Sequence, residues 1–164
     1  MKLEGSCHCG AVTFTVVSHT PYPYNRCYCS KCRKNGGAGY TVNIMGDAET
    51  LKVEGAENIT VYRSANNHRG AYEADGLGYS RKHFCKVCGS PLYIFNPQYP
   101  QWVYPCATAI DTELPTPPQV TSLMLGYRAS WVPVADGPDD KRFEFYPDEG
   151  IEDWHRRNGL YDPD

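Results

Sequence analysis

Residues 27–32 read CYCSKC, three cysteines within six positions. Three thiolates supply three corners of a tetrahedral metal site and leave the fourth in question. Working outward, the other cysteines fall into equally short spacings: Cys7 and Cys9 in C-x-C, Cys85 and Cys88 in C-x-x-C, and Cys106 alone. The start, MKLEGSCHCG, has no apolar core of the kind a secretory signal carries. In a reducing compartment structural disulfides rarely persist, and tight cysteine pairs then indicate metal. The expectation is therefore a zinc protein of the cytoplasm rather than a disulfide framework.

A C-x-C pair on an extended strand sends both side chains to one face, because the strand period is two. A C-x-x-C pair in a tight turn brings two thiolates together, and Gly89 after Cys88 suits such a turn. Cys7, Cys9, Cys85 and Cys88 thus make a complete four-sulfur zinc site joining the N-terminal strand to a distant hairpin. Four thiolates close that site, as in structural zinc. Cys27, Cys29, Cys32 and Cys106 remain. If Cys106 is a buried free thiol, the other three form an open zinc site whose fourth corner takes water or substrate, the arrangement of catalytic zinc. If Cys106 is the fourth ligand, both sites are structural. Lys31, Arg33 and Lys34 surround Cys32 and offer charge to offset the net anion or draw in an anionic ligand.

The chain has 164 residues, a length that fits one domain with a sizeable core. The expected organisation is a single domain over 1–164, with its core at about 3–135 and a tail over 136–164 containing a short helix. The net charge of −3 argues against nucleic acid, which wants a basic face. No apolar run reaches the roughly 20 residues a membrane-spanning helix needs.

Strand patterns dominate. AVTFTVV (11–17) alternates, with Val12, Phe14 and Val16 on one face. YTVNIM, ITVYR, PLYIF, WVYPCATAI and SLMLGY are β-rich runs between Gly, Pro and Asn clusters. Two places read as helix: a turn with Ser30 as N-cap, stopped by Gly36-Gly37, and DEGIEDWHRRNG, with Asp148 as N-cap and Gly159 as stop. LPTPPQ (114–119) must be irregular, because its prolines forbid helix and ladder alike. The polar loop 64–78 is long enough to suggest function, and His68 within it reads first as a loop residue and second as one that reaches a substrate. His8 and His83 read as surface or packing residues, His19 as a turn residue and His155 as structural. Tyr24 lies beside the open knot and Tyr28 within it, where they pack the core or hydrogen-bond a ligand. Asp111 reads as a turn residue and equally well as a matched position in the resemblance that follows.

At GSCHCGAVTFTV (5–16), CYCSKCRKNGG (27–37) and HFCKVCGSPLYIF (83–95) the chain resembles the glutathione-dependent formaldehyde-activating enzyme and centromere protein V family. AIDTELPTPP and RASWV are similar to the later signatures of that family, so the likeness runs from about Gly5 to Trp131. The resemblance implies a mainly β, Mss4-like (β-tent) fold with short helices, stapled by zinc. It implies two zinc ions per chain, a structural one on Cys7, Cys9, Cys85 and Cys88 and a catalytic one on Cys27, Cys29 and Cys32. The activity implied is that of a carbon–sulfur lyase joining glutathione to formaldehyde, with glutathione or its adduct as partner and a homodimer allowed. The alternative is a non-catalytic zinc-stabilised interaction module. Two departures bear on the substrate pocket: the 64–78 loop is longer than usual, and VTSLMLGYRASW lacks a histidine often found there.

Overall fold

The computed structural model describes residues 1–65 and 72–163. Its strands are β1 (Lys2–Ser6), β2 (Thr13–Val17), β3 (Asn25–Cys27), β4 (Thr41–Val42), β5 (Gly46–Asp47), β6 (Lys52–Glu54), β7 (Ile59–Tyr62), β8 (Arg81–Cys85), β9 (Pro91–Phe95), β10 (Trp102–Pro105), β11 (Thr121–Leu123) and β12 (Lys141–Arg142). The α-helices are α1 (Ser30–Asn35) and α2 (Ile151–Arg157). Three sheets result, in the orders β1-β2-β6, β5-β10-β9-β8-β7 and β12-β11-β3-β4. The mainly β architecture with short helices is the one the resemblance implies.

Alternation in β1 and β2 builds the first core. Leu3 lies opposite Val16 and Gly5 opposite Phe14, and all four point inward. A Cβ on Gly5 would sit 2.4 Å from the Phe14 ring, so glycine is what lets Phe14 lie there. Phe14 meets Tyr93 of β9 edge to face at 5.9 Å, and Leu92, Val103 and Ile44 complete the cluster. Each such side chain contributes about 1.5–3 kcal/mol on burial.

The third sheet and α2 place the open cysteine knot. β3 is three residues long and is held by parallel pairing with β11, Leu123 opposite Cys27. Just before it, Tyr24 stacks on Trp154 of α2, ring centroids 3.8 Å apart and planes 7° apart. The Trp154 indole donates to Gln119 Oε1 at 3.1 Å. His155 is fully buried; its Nε2 accepts from the Tyr22 amide at 3.2 Å and its Nδ1 donates to the Ile151 carbonyl at 2.8 Å. An amide can only donate, so the neutral Nδ1-H tautomer is fixed and the structural reading of His155 holds.

Several readings need correction. Cys29, not Ser30, caps α1: its sulfur accepts from the Cys32 amide at 3.4 Å. Gly150, not Asp148, precedes α2, and the Asp153 carboxylate accepts from its amide at 3.4 Å. WVYPCATAI is strand only to Pro105, after which Ala107–Ala109 form a 3-10 turn. SLMLGY leaves the strand after Leu123, because Met124 turns to φ 60°. YTVNIM pairs as a strand only at Thr41–Val42. In the long loop, Arg63 grips Asp75 through two hydrogen bonds of 2.7 and 3.1 Å, and the Gly78 amide donates to the Ser64 carbonyl at 2.9 Å. His68 lies outside the described residues.

Candidate metal centres and cleft

Cys7 and Cys9 do not lie on a strand. β1 ends at Ser6, and Cys7–Gly10 is a turn closed by the Gly10 amide on the Cys7 carbonyl at 3.0 Å, with Gly10 at φ +75°. The turn brings the two sulfurs together at 3.6 Å and leaves His8 exposed between them. Cys85 ends β8 and Cys88 sits in the turn to β9, where the Gly89 amide donates to the Cys85 carbonyl at 2.8 Å and Gly89 takes φ +77°. All four sulfurs lie within 4.8 Å of one another, and Cys9 and Cys85 are 3.8 Å apart. A zinc–sulfur distance near 2.3 Å gives a tetrahedron with edges of about 3.8 Å, so the four fit a tetrahedral ion.

The surroundings favour thiolates. The Val12 amide donates to Cys7 Sγ at 3.2 Å. Ser90 Oγ accepts from the His8 amide at 3.1 Å, leaving its own proton for Cys88 Sγ at 3.2 Å. The Ser90 hydroxyl, with the Ser90 and Cys9 amides, holds the Cys88 thiol down at about 5. Cys9, although the Ala11 amide pulls it down, is pushed to about 12 by desolvation and its cysteine neighbours. Four crowded sulfurs therefore ionise together only against a cation.

Cys27 ends β3, Cys29 caps α1 and Cys32 lies in the first turn of α1. Their sulfurs also lie within 4.8 Å of one another, Cys29 and Cys32 buried and Cys27 half-buried. Hydrogen bonds from Cys27 and then Cys32 hold Cys29 down at about 2, while contacts with Cys29 and then Cys32 drive Cys27 well above its ordinary value. Three thiols in mutual contact oppose one another's ionisation, and a dication is what would let all three ionise together. Either cysteine cluster could hold a metal ion. Cys106 belongs to neither: it donates to Asn43 Oδ1 at 3.8 Å, and burial pushes its thiol to about 12.

The three-cysteine cluster lines a cleft of about 550 Å³. One wall is the five-stranded sheet, where Lys82, Ile94 and Tyr104 stand side by side on β8, β9 and β10. Tyr99, Trp102, Asn96 and Asn43 also line the cleft, as do Tyr146, Asp148, Glu149 and Glu152 from the segment entering α2. Glu149 accepts two hydrogen bonds from Arg157 at 2.6 and 2.9 Å, which hold its carboxyl below the usual range. Of the three cations read around the knot, Lys31 lines the cleft and Arg33 and Lys34 do not.

The other single residues fall outside it. Tyr24 is stacked beneath Trp154, and Tyr28 is buried with its hydroxyl donating to the Pro133 carbonyl at 3.3 Å, so both pack rather than face a ligand. His83 stacks on Tyr93 at 4.4 Å and His19 on Tyr161 at 5.6 Å. The exposed Asp111 contributes a backbone contact, its amide donating to the Glu4 carbonyl at 2.8 Å. Sequence reasoning missed Lys82, whose Nζ lies 3.7 Å from Cys32 Sγ. The signal was a lysine inside a strand that leads into a zinc knot, on the face alternating with Arg81 and His83. It also missed the aromatic wall and the acidic segment, which reach the cleft only through tertiary folding.

The class defined so far is a mainly β protein with one closed and one open cysteine cluster, the open one in a ligand-sized cleft. The family model for glutathione-dependent formaldehyde-activating enzyme matches residues 2–124, and the chain belongs to that family. A Halomonas elongata protein provisionally named glutathione-dependent formaldehyde-activating enzyme is 51% identical over 162 residues, covering 98% of each chain. Among solved structures, a crystal structure of a Rhodobacter sphaeroides protein is similar at 26% identity and a TM-score of 0.52, over 68% of this chain and 91% of that one. Among the described residues no helix is long and apolar enough to cross a membrane.

Proposed function

We propose that this chain is a zinc-dependent carbon–sulfur lyase that acts on glutathione or a glutathione adduct, with two zinc ions per chain. The observation that supports it most is the open three-sulfur cluster in a cleft of about 550 Å³, within the range that small-molecule sites occupy. Cys7, Cys9, Cys85 and Cys88 hold the structural ion, and Cys27, Cys29 and Cys32 hold the other by three sulfurs. Bound there, zinc supplies a fourth position that keeps a sulfur ligand in its thiolate form.

The reaction class is addition of a thiol across an aldehyde. A carbon–sulfur bond forms, the carbonyl π bond breaks, and the thiol proton ends on the oxygen. The chain's part is to hold the peptide so that its sulfur meets the carbonyl carbon, which removes much of the entropic barrier. Tyr99, Trp102 and Tyr104 exclude water from one side. Lys31 offers a cation to the carboxylates of the peptide, and Asp148, which also lines the cleft, offers a carboxylate to its ammonium.

The test is the zinc absorption edge with and without glutathione. Averaged over both sites, the sulfur count should rise when glutathione is added, and S-methylglutathione should leave it unchanged. Formaldehyde should then disappear faster than in a no-protein control. A full four-sulfur shell at both ions before any ligand is added would overturn the reading.

A further inference from the structure

Among the described residues Lys82 is the only lysine, arginine, aspartate or glutamate that is buried. It is 7% exposed, it lines the cleft, and its Nζ lies 3.7 Å from Cys32 Sγ. Burying an ammonium is costly unless an anion faces it. The neighbours on its sheet face do not supply one: Tyr62 precedes it across β7, and Ile94 and Tyr104 follow it across β9 and β10. Among the described residues Lys82 forms no ion pair with a carboxylate of the cleft, where Arg157 holds Glu149 and Arg156 holds Glu152. The anion that Lys82 faces is the cysteine cluster itself.

We propose that Lys82 makes the open corner of the Cys27, Cys29 and Cys32 site selective for an anionic ligand, a thiolate in preference to a neutral donor. Three thiolates on a divalent ion carry one net negative charge, and a fourth thiolate would double it. Like charge at that distance opposes entry, and the opposition is strongest where water is excluded. An ammonium beside Cys32 offsets that second charge. It adds nothing for a neutral donor such as imidazole, so the difference between the two ligand types is what Lys82 controls. Lys31, half-buried in the same cleft, has water to screen it and adds less.

The inference rests on the proposed function for the identity of the thiolate, but not for its test. The zinc-loaded full chain is titrated calorimetrically with glutathione, thiocyanate and imidazole, in the wild type and in Lys82→Met and Lys82→Gln. Zinc content and the zinc edge are measured on each. Both variants should keep two zinc ions, bind glutathione and thiocyanate at least tenfold more weakly, and bind imidazole within threefold of the wild type. Equal weakening of all three ligands would overturn the proposal, since it would mean that Lys82 only supports the shape of the site. Unchanged anion binding would overturn it too, as would loss of zinc or of the fold in both variants. If wild-type protein takes thiocyanate but not glutathione, the lyase reading fails and the anion selectivity of Lys82 stands on the thiocyanate arm alone.

Discussion

If the two cysteine clusters have different jobs, removing each should cost a different amount, and the chain itself sets the difference. Cys9 and Cys85 are 76 positions apart, so a metal held across them closes a long loop. The chain-entropy relation for a cross-link of that span gives about 4.5 kcal/mol at room temperature. Cys27, Cys29 and Cys32 are joined through β3 and the first turn of α1, and the same relation for so short a loop gives only about 2 kcal/mol. The comparison is between Cys85→Ser/Cys88→Ser and Cys27→Ser/Cys29→Ser. The second pair leaves Cys32 in place for Lys82, and serine at position 29 is itself a good helix N-cap, so secondary losses are small. At roughly 2–4 °C per kcal/mol for a chain of this size, the first variant should melt roughly 9–18 °C lower and the second roughly 4–8 °C lower. Scanning calorimetry with zinc content measured on the same samples reads both. Equal decreases, or a larger one for Cys27→Ser/Cys29→Ser, would refute the assignment of the staple to Cys7, Cys9, Cys85 and Cys88.

Trp154→Ala removes a fully buried ring and its stack on Tyr24, and should cost about 3–5 kcal/mol by chemical denaturation; the cleft binds ligand more weakly too, because α2 carries one of its walls. His155 is held neutral in the fold by burial, so its pKa lies below the ordinary 6.5. Between that lowered value and 6.5 the unfolded chain binds the extra proton, so this contribution is complete above 6.5 and is lost as pH falls through the window. His155→Gln should flatten the fall in melting temperature between pH 7 and pH 5.5 relative to the wild type, which controls for metal loss common to both.

Much of the fold was legible where hydrophobic alternation was long enough to register. TFTVV, ITVY and PLYIF became strands over the residues that alternate or run apolar. The cysteine partition was legible for a different reason: spacing alone limits which thiolates meet in a turn, and Gly89 marked one such turn. The C-x-C pair shows the limit of that logic. The sulfurs converge as expected, but through a turn that Gly10 permits by adopting a positive φ, not through strand alternation. β3 left no local signal, because three residues gain their structure from β11, nearly a hundred positions away. The substrate side was least legible. Tyr99, Trp102, Tyr104 and Tyr146 are ordinary aromatic residues in sequence, and only folding gathers them around the knot.

One consequence connects the two clusters. β8 carries both Lys82 and Cys85, three residues apart, with a register irregularity between His83 and Phe84. Lys82 reaches Cys32 only in the present register; a slip of one residue would turn it to the other face of the sheet and put Arg81 or His83 in the cleft. The hydrogen bonds of β8 to β7 and β9 do not exclude such a slip, since backbone ladders are indifferent to the side chains they carry. At the end of β8 the Cys85 amide donates to the Ser90 carbonyl at 3.0 Å, and the Cys85 sulfur lies 3.8 Å from Cys9 of the N-terminal turn, the contact that ties the strand to another element. Holding a metal, the closed cluster would act on the open one through register, setting which side chain of β8 faces Cys32. By this argument the Cys85→Ser/Cys88→Ser variant, studied below its melting temperature, should lose the preference for thiocyanate over imidazole even while Cys27, Cys29 and Cys32 retain their zinc. A variant that keeps the wild-type preference would show that β8 holds its register without the staple.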